Sequence, residues 1–338
     1  MVARCYTGRH KQGRRLMRLS RRALVQAVAG VAVTGRAATA QATWPTRSVS
    51  LMVGYPPGGT TDIVARGIAE RLTKAFGQSV LVENKAGATG MIAAQLVAKA
   101  PPDGHQLLML AGPNFVDNPP VDIYAGFAPI SLLAKGATMF AVPASSPWTS
   151  LRQVLDEAKA KPGTINYATS GIGSGQHLFA ELVAQRSGVT LNHIPYKGGG
   201  QAVTDLVAGQ VPFAMLGAAP LVPHIKGGRL RGLAVSTKQR LAALPDVPSI
   251  AEAAGIADYD AFQWFALVAP PGTPAPIIER INRETRAALA DPALGQAFAA
   301  TAIEPAPSSP GELGAFLKAQ KEGWNEIAKL RRITGGGT

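Results

Sequence analysis

Residues 53–62, V-G-Y-P-P-G-G-T-T-D, restrict the fold more than any other stretch of the chain. Before them, residues 48–53 (S-V-S-L-M-V) have the short, β-branched and apolar character of a buried strand. After them, Val64, Ile68, Leu72 and Phe76 recur every four residues, one face of a helix that Gly77 closes. The pattern predicts strand, rigid loop, helix. Pro56 and Pro57 fix φ, while Gly58 and Gly59 let the backbone approach a ligand with no Cβ in the way. The free N–H groups and the dipole of such a helix start favour an anion. Any α/β protein also needs a glycine turn here, so the loop alone fits a plain connection as well as a binding site. It is not a P-loop, because no Lys-Ser or Lys-Thr follows the glycines, and G-G-T-T-D lacks the dinucleotide spacing. Asp62 is read as a helix cap rather than a ligand contact.

Residues 1–40 contain nine basic residues and no acidic one, followed by the apolar run 23–33 and the A-x-A site Ala38-Thr39-Ala40. This predicts an export signal cleaved near Ala40, and Ser20-Arg21-Arg22-Ala23-Leu24 resembles a twin-arginine signal. Sec export and a start at Met17 remain open. The apolar run is too short to span a membrane, so no membrane-embedded part is expected. Without the leader, 34 − 9 leaves 25 Lys and Arg against 21 Asp and Glu, and the net charge falls from +13 to +4. The basic excess therefore lies mostly in the leader, and with aromatics at 6% and no basic-aromatic cluster no nucleic-acid partner is expected. The single cysteine, Cys5, is in the leader, which leaves no disulfide and no thiolate site and suits a bacterial periplasm. The remaining histidines, His105, His177, His193 and His224, are scattered without ligand spacing, so neither a metal nor another cofactor is expected.

The rest of the chain reads as two units of one design. In the first, strands at 79–83 and 106–110 alternate with helices around a second glycine loop at 84–90, which predicts a parallel sheet covered by helices. Residues 139–143 read as a strand crossing out of this unit, and 143–147 as a linker. In the second unit, strands at 164–168 and 191–195 lead into glycine loops at 169–177 and 196–200, each opening a helix. Residues 263–268 read as a strand returning to the first unit. The expected division is 41–142 plus 255–338 as domain 1 and 143–254 as domain 2. Comparable loops at the carboxyl ends of both sheets would face each other across a ligand cleft.

Six ordered motifs carry a resemblance. They are residues 44–66 (W-P-T-R-S-V-S-L-M-V-G-Y-P-P-G-G-T-T-D-I-V-A-R), 82–90 (V-E-N-K-A-G-A-T-G), 102–108 (P-D-G-H-Q-L-L), 166–178 (N-Y-A-T-S-G-I-G-S-G-Q-H-L), 194–198 (I-P-Y-K-G) and 244–255 (L-P-D-V-P-S-I-A-E-A-A-G). In this order the chain resembles the Bug family, periplasmic solute-binding receptors associated with tripartite tricarboxylate transporters, over residues 44–333. The resemblance implies a type II periplasmic-binding-protein fold with two α/β domains that close on a small carboxylate without chemistry. It implies a monomer that hands its ligand to membrane transporter subunits. A receptor signalling to a membrane sensor kinase is the alternative output.

Carried over by position, the expected ligand-binding residues are Tyr55, Pro57, Gly58, Gly59, Thr60 and Thr61 in the first domain, with Ser170, Gly173, Ser174, His177, Tyr196 and Lys197 in the second. The amides of residues 58–61, with a hydroxyl from Thr60 or Thr61, would hold one carboxylate, and Ser170 and Ser174 a second polar end. His177 either touches ligand or bonds within its own domain, Tyr196 walls the cleft, and Lys197 either pairs with a carboxylate or stays solvated. Relatives usually have Tyr at His105, a longer segment than 114–127, and a polar residue within 213–219, where this chain has F-A-M-L-G-A-A. The last departure predicts a more apolar wall at Gly217. A hydrolase built on Ser174 and His177 is the rival enzyme, but neither Ser170 nor Ser174 centres a G-x-S-x-G elbow.

Overall fold

A computed structural model describes residues 44–330, with side chains described through 324. The leader, its cleavage point and Met17 lie outside the described residues. The first sheet contains β1 (Val49–Val53), β2 (Val80–Asn84), β3 (Gln106–Gly112), β4 (Ala128–Gly136), β10 (Gln263–Ala269) and β11 (Ile303–Pro305), in the order β11-β4-β10-β3-β1-β2. Strand β1 runs parallel to β2 and β3, while β10 lies antiparallel between β3 and β4. The second sheet contains β5 (Thr138–Pro143), β6 (Asn166–Thr169), β7 (Asn192–Pro195), β8 (Ala214–Gly217) and β9 (Leu230–Val235), in the order β7-β6-β8-β5-β9.

Helices cover both sheets. Helix α1 (Thr60–Phe76) fully buries Val64, Ile68 and Leu72 on the face their four-residue spacing predicts, and ends with Gly77 in the left-handed region. Burial of each such side chain contributes about 1.5–3 kcal/mol. Helices α2 (Met91–Ala98) and α3 (Leu151–Ala160) follow, then α4 (Gly175–Ser187), α5 (Gly199–Val207) and α6 (Ala218–Lys226) of the second sheet. Helices α7 (Ile250–Ala254), α8 (Ala275–Leu289), α9 (Pro292–Ala300) and α10 (Pro310–Leu330) complete the described chain. Trp324 of α10 packs on Phe179 of α4 with ring centroids 4.8 Å apart, a core role as its position in the helix stripe predicts.

The chain passes from one sheet to the other within a single residue, Ala137, between β4 and β5. The sequence reading keeps residues 139–142 with the first domain, yet β5 pairs along its length with β8 and β9 of the second sheet. Its six residues are all buried, so nothing in their polarity distinguishes a crossing strand from a resident one. Ser236, fully buried, ties this passage to the returning chain: Thr138 N donates to its Oγ at 2.9 Å, its own N donates to Thr138 O, and Ala261 N donates to its carbonyl.

Candidate functional site

The first loop ends in Gly59, the N-cap residue of α1, whose first-turn amides have no partner within the helix. Gly58 adopts φ +86°, a conformation a residue with a Cβ enters at a cost. Asp62, in the first turn of α1, holds this geometry from inside the helix. Its carboxylate accepts from Gly58 N at 3.1 Å, Arg66 Nε at 2.9 Å and Asn84 Nδ2 at 3.0 Å. Burial pushes the Asp62 carboxyl up, but those hydrogen bonds and the Arg66 charge outweigh it and hold it below the usual carboxylate range. Asp62 thus reaches back past the N-cap, which itself has no side-chain cap. The Gly58 amide is consumed in doing so, which leaves the amides of Gly59, Thr60 and Thr61 to face the cleft.

The second loop is tied by neutral groups. Ser174 caps α4 by accepting from His177 N at 3.3 Å and donates its own proton to Gly171 O at 2.8 Å. Gln176 Oε1 accepts from Ser170 N at 2.9 Å. His177 Nδ1 accepts from Gly173 N at 3.1 Å, and the imidazole stacks on His193 with centroids 3.9 Å apart and planes 13° from parallel. His193 Nε2 in turn lies 2.7 Å from Thr169 Oγ1, at the root of the same loop. Burial, reinforced by the His177 charge, pulls the His193 imidazole down to about 3.

The two sets of loops meet. Thr89 Oγ1 donates to Ile172 O and Phe115 N to Gly173 O, both at 2.8 Å. A Cβ on Gly59 would stand 3.7 Å from Gly200 N, while one on Gly198 would overlap Pro56 and one on Gly200 would overlap the Pro57 carbonyl. Bare backbones therefore face each other across the cleft and enclose a cavity of about 20 Å³. Its walls are Tyr55, Gly59, Thr60, Thr61, Ala111, Gly112 and Asn114 on one side. Ser170, Ser174, Gly175, Gln176, Gly199, Gly217 and Pro220 form the other, with Gln263 at the start of β10. Among the described residues, none with an ionised side chain lines it. The positive ends of four helices, α1, α4, α5 and α6, converge on it instead. Larger hollows, such as that of about 620 Å³ beside Arg152 and Arg186, are grooves away from these helix starts.

Of the twelve residues expected from the sequence, Tyr55, Gly59, Thr60, Thr61, Ser170 and Ser174 line the cavity. Pro57, Gly58, Gly173, His177, Tyr196 and Lys197 do not. Pro57 and Gly58 are exposed, and their backbone faces Gly200 instead. Gly173, at φ +75°, lies against Phe115 O, where a Cβ would overlap it. His177 accepts from Gly173 N within its own domain and is not on the cavity wall. Tyr196 turns its hydroxyl away to donate to Asp205 Oδ2 at 2.7 Å, and Lys197 is exposed. Ser174 reaches the wall, but both sides of its hydroxyl are occupied by backbone groups.

Sequence reasoning missed Asn114, Gln176 and Gln263. Asn114, buried, donates to Tyr55 Oη at 3.1 Å and Ala111 O at 2.7 Å, and Tyr55 Oη donates to Thr89 O at 3.3 Å. Burial pushes the Tyr55 phenol up, so it stays neutral. Gln176 directly follows the glycine-serine run and was within reach of a loop-based reading. Asn114 in an irregular stretch and Gln263 opening a returning strand had no local signal. Gly217 is on the wall as expected, but the wall is not apolar, because Thr60 Oγ1 and Gln263 Oε1 both face that glycine.

Residues 64–333 match the family described as tripartite tricarboxylate transporter family receptor. Protein BugT of Bordetella pertussis is 34% identical over 307 residues, covering 88% of this chain and 94% of its own. The structure of periplasmic binding protein BugD superposes with a TM-score of 0.81 at 31% identity, covering 86% of this chain and 99% of that one. Rpa4515 of R. palustris, solved with adipate, gives 0.82 at 33% identity with the same coverage. The fold is the type II periplasmic-binding-protein fold, two α/β domains with a ligand cleft between them. No helix among the described residues is long and apolar enough to cross a membrane. The chain belongs to the tripartite tricarboxylate transporter receptor family and is a solute-binding receptor.

Proposed function

We propose that the protein captures a small carboxylate-containing metabolite in the periplasm by closing its two domains, and delivers it to a tripartite tricarboxylate-type membrane transporter. The convergence of four helix N-termini on an enclosed cavity without ionised side chains carries this reading. Such a site attracts negative charge through fixed dipoles and free N–H groups, with no counter-ion to desolvate. The amides of Gly59, Thr60 and Thr61 take one carboxylate, with the Thr61 hydroxyl beside them. Gly175, Gln176 and Ser170 face it from the second domain, and Tyr55 with Asn114 fills the wall between. The two domains follow the two sheets, with residues 138–143 in the second, and the moving joint lies at Ala137 and the Ser236 ties. A leader cleaved near Ala40 exports the chain. The adipate in Rpa4515 supports the ligand class.

Binding without chemistry is part of the proposal. His177 Nδ1 accepts from Gly173 N and the Ser174 hydroxyl donates to Gly171 O, so this pair lacks the base-to-nucleophile hydrogen bond a hydrolase requires. Among the described residues no group of three His, Cys, Asp or Glu side chains is placed to hold a metal.

The test is a thermal-shift screen against mono-, di- and tricarboxylates, using protein freed of bound ligand by unfolding and refolding. A ligand at 100 times its dissociation constant adds about 2.7 kcal/mol of stability. Gly59→Leu, which pushes a branched side chain against the backbone of Gly199 and Gly200, should cut that response sharply. If no acid of any class raises the melting point, the reading is wrong.

A further inference from the structure

We propose that Gln263 and Thr60 form, over the bare Cα of Gly217, a neutral polar subsite that selects monocarboxylates carrying at their far end an uncharged hydrogen-bonding group, a hydroxyl or a carboxamide. This rests on the receptor reading above and adds to it the class of ligand.

Thr60 Oγ1 and Gln263 Oε1 are both buried without a hydrogen-bond partner, on residues only 6% and 8% exposed, and both residues line the cavity. They converge on one point: a Cβ on Gly217 would overlap Thr60 Oγ1 and stand 3.0 Å from Gln263 Oε1. Gly217 therefore lets Thr60 Oγ1, from the start of α1, pack against its bare Cα beside Gln263 Oε1 of β10, and any side chain there would displace the pair from the cavity wall. A buried hydroxyl or carboxamide left unpaired carries its full desolvation cost, which a ligand group bonded to it recovers.

The wall selects against a second carboxylate. It lies at the start of α6, the poorest donor of the four helix starts, because Ala218 N already donates to Ala137 O at 2.9 Å and Pro220 has no N–H, which leaves Ala219 N alone among the first three residues. Among the described residues no cation lines the cavity. A carboxylate only accepts hydrogen bonds, and its burial against two neutral side chains, one of them presenting an acceptor, leaves most of its desolvation cost unrecovered. Whichever way the Gln263 carboxamide is turned, it and the threonine together offer a donor and an acceptor, which is what a hydroxyl or a carboxamide needs. The charged end of the ligand belongs at the starts of α1 and α4, where the first-turn amides are free.

The experiment is calorimetric titration of the protein with matched acids of four, five and six carbons, each bearing at the far end a methyl, a hydroxyl, a carboxamide or a carboxylate. At the four-carbon length these are butanoate, 4-hydroxybutanoate, succinamate and succinate. The hydroxy or carbamoyl acid should bind about tenfold or more tighter than both the methyl and the carboxylate acid of its length, since a site built to bond a polar group rejects its absence. Gln263→Leu and Thr60→Val should each shrink that ratio to near one. Reading the ratio within each variant separates lost recognition from a general loss of folding. A dicarboxylate binding tightest to the wild type, or a ratio that survives both substitutions, would overturn the proposal and make the pair a water-bridged structural contact. If none of these acids binds while the wider thermal-shift screen finds another ligand, this proposal fails and the receptor reading stands; if neither finds a ligand, both fall.

Discussion

The loops that open α1 and α4 occupy equivalent places at the carboxyl ends of their sheets, yet they are held by opposite chemistry. The first is tied by an ion. Asp62 gathers Gly58 N, Arg66 Nε and Asn84 Nδ2 behind the cleft, with the Arg66 side chain half in solvent. The second is tied by neutral groups: a serine cap, a glutamine, a threonine and two stacked imidazoles. A binding site needs rigid loops with free amides, and either kind of anchor supplies them without bringing a charge into the cavity. The two anchors differ in what disturbs them, because an ionised carboxylate persists to low pH whereas a buried neutral imidazole competes with its own protonation in the unfolded chain.

Removal of the ionic anchor should have the largest effect. Asp62→Ala leaves the Gly58 amide without its acceptor and Arg66 without its ion-pair partner, while Asn84 Nδ2 keeps only its bond to Tyr55 O, and should cost about 3 kcal/mol in urea unfolding at pH 7. The acid signature is separate: the Asp62 carboxyl lies below its unfolded value, so its contribution is intact above about pH 4 and disappears as pH falls through the folded value. A loss under 1 kcal/mol would show that prolines and glycines alone hold the first loop, and the contrast between the two anchors would break.

The neutral anchor should fail earlier on acidification. The His193 imidazole lies at about 3 when folded against an ordinary 6.5, so the unfolded chain takes the proton first and stability is lost as pH falls below about 6.5, continuing towards 3. At pH 5 this single group should cost on the order of 2 kcal/mol relative to neutral pH. Thermal unfolding at pH 5 and pH 7, with His193→Gln to remove the titrating group, checks the sign. A pH-independent wild type across that range would mean that the stacked pair is already open to water.

The different chemistry of the anchors also explains what could be read in advance. The strand, loop and helix at residues 48–76 were legible because glycine, proline and a four-residue apolar spacing are local signals. The parallel strands and the returning β10 followed from alternation and punctuation. Helix α6 had no reading in advance, since Pro220 and Pro223 obscure a helical pattern, although Pro220 sits in the first turn, where its missing N–H costs nothing. The site was half legible for a related reason. Residues that present backbone, such as Gly59 and Thr60, announce themselves by composition. Asn114 and Gln263 reach the cavity only because β3 and β10 are neighbours in the sheet, a pairing between residues more than 140 apart in the chain. His177 and Tyr196 had motif positions that resemble ligand contacts, and only tertiary packing shows that one stacks on His193 and the other turns to Asp205.

Lys197 gives the smallest expected effect and the sharpest check on the neutral character of the second side. It follows Tyr196 in the loop after β7, is exposed, and is absent from the cavity wall. An exposed lysine contributes little through solvent-screened charge, so Lys197→Ala should shift unfolding by no more than about 0.5 kcal/mol. Carboxylate affinity at physiological salt should change less than about twofold, because charges beyond roughly 8 Å are largely screened there. Tyr196→Phe, which deletes only the bond to Asp205, is the companion control for the loop itself. A tenfold loss of affinity in Lys197→Ala that vanishes at high salt would place a working cation on the second side. The two halves of the cleft would then differ in charge as well as in how their loops are anchored.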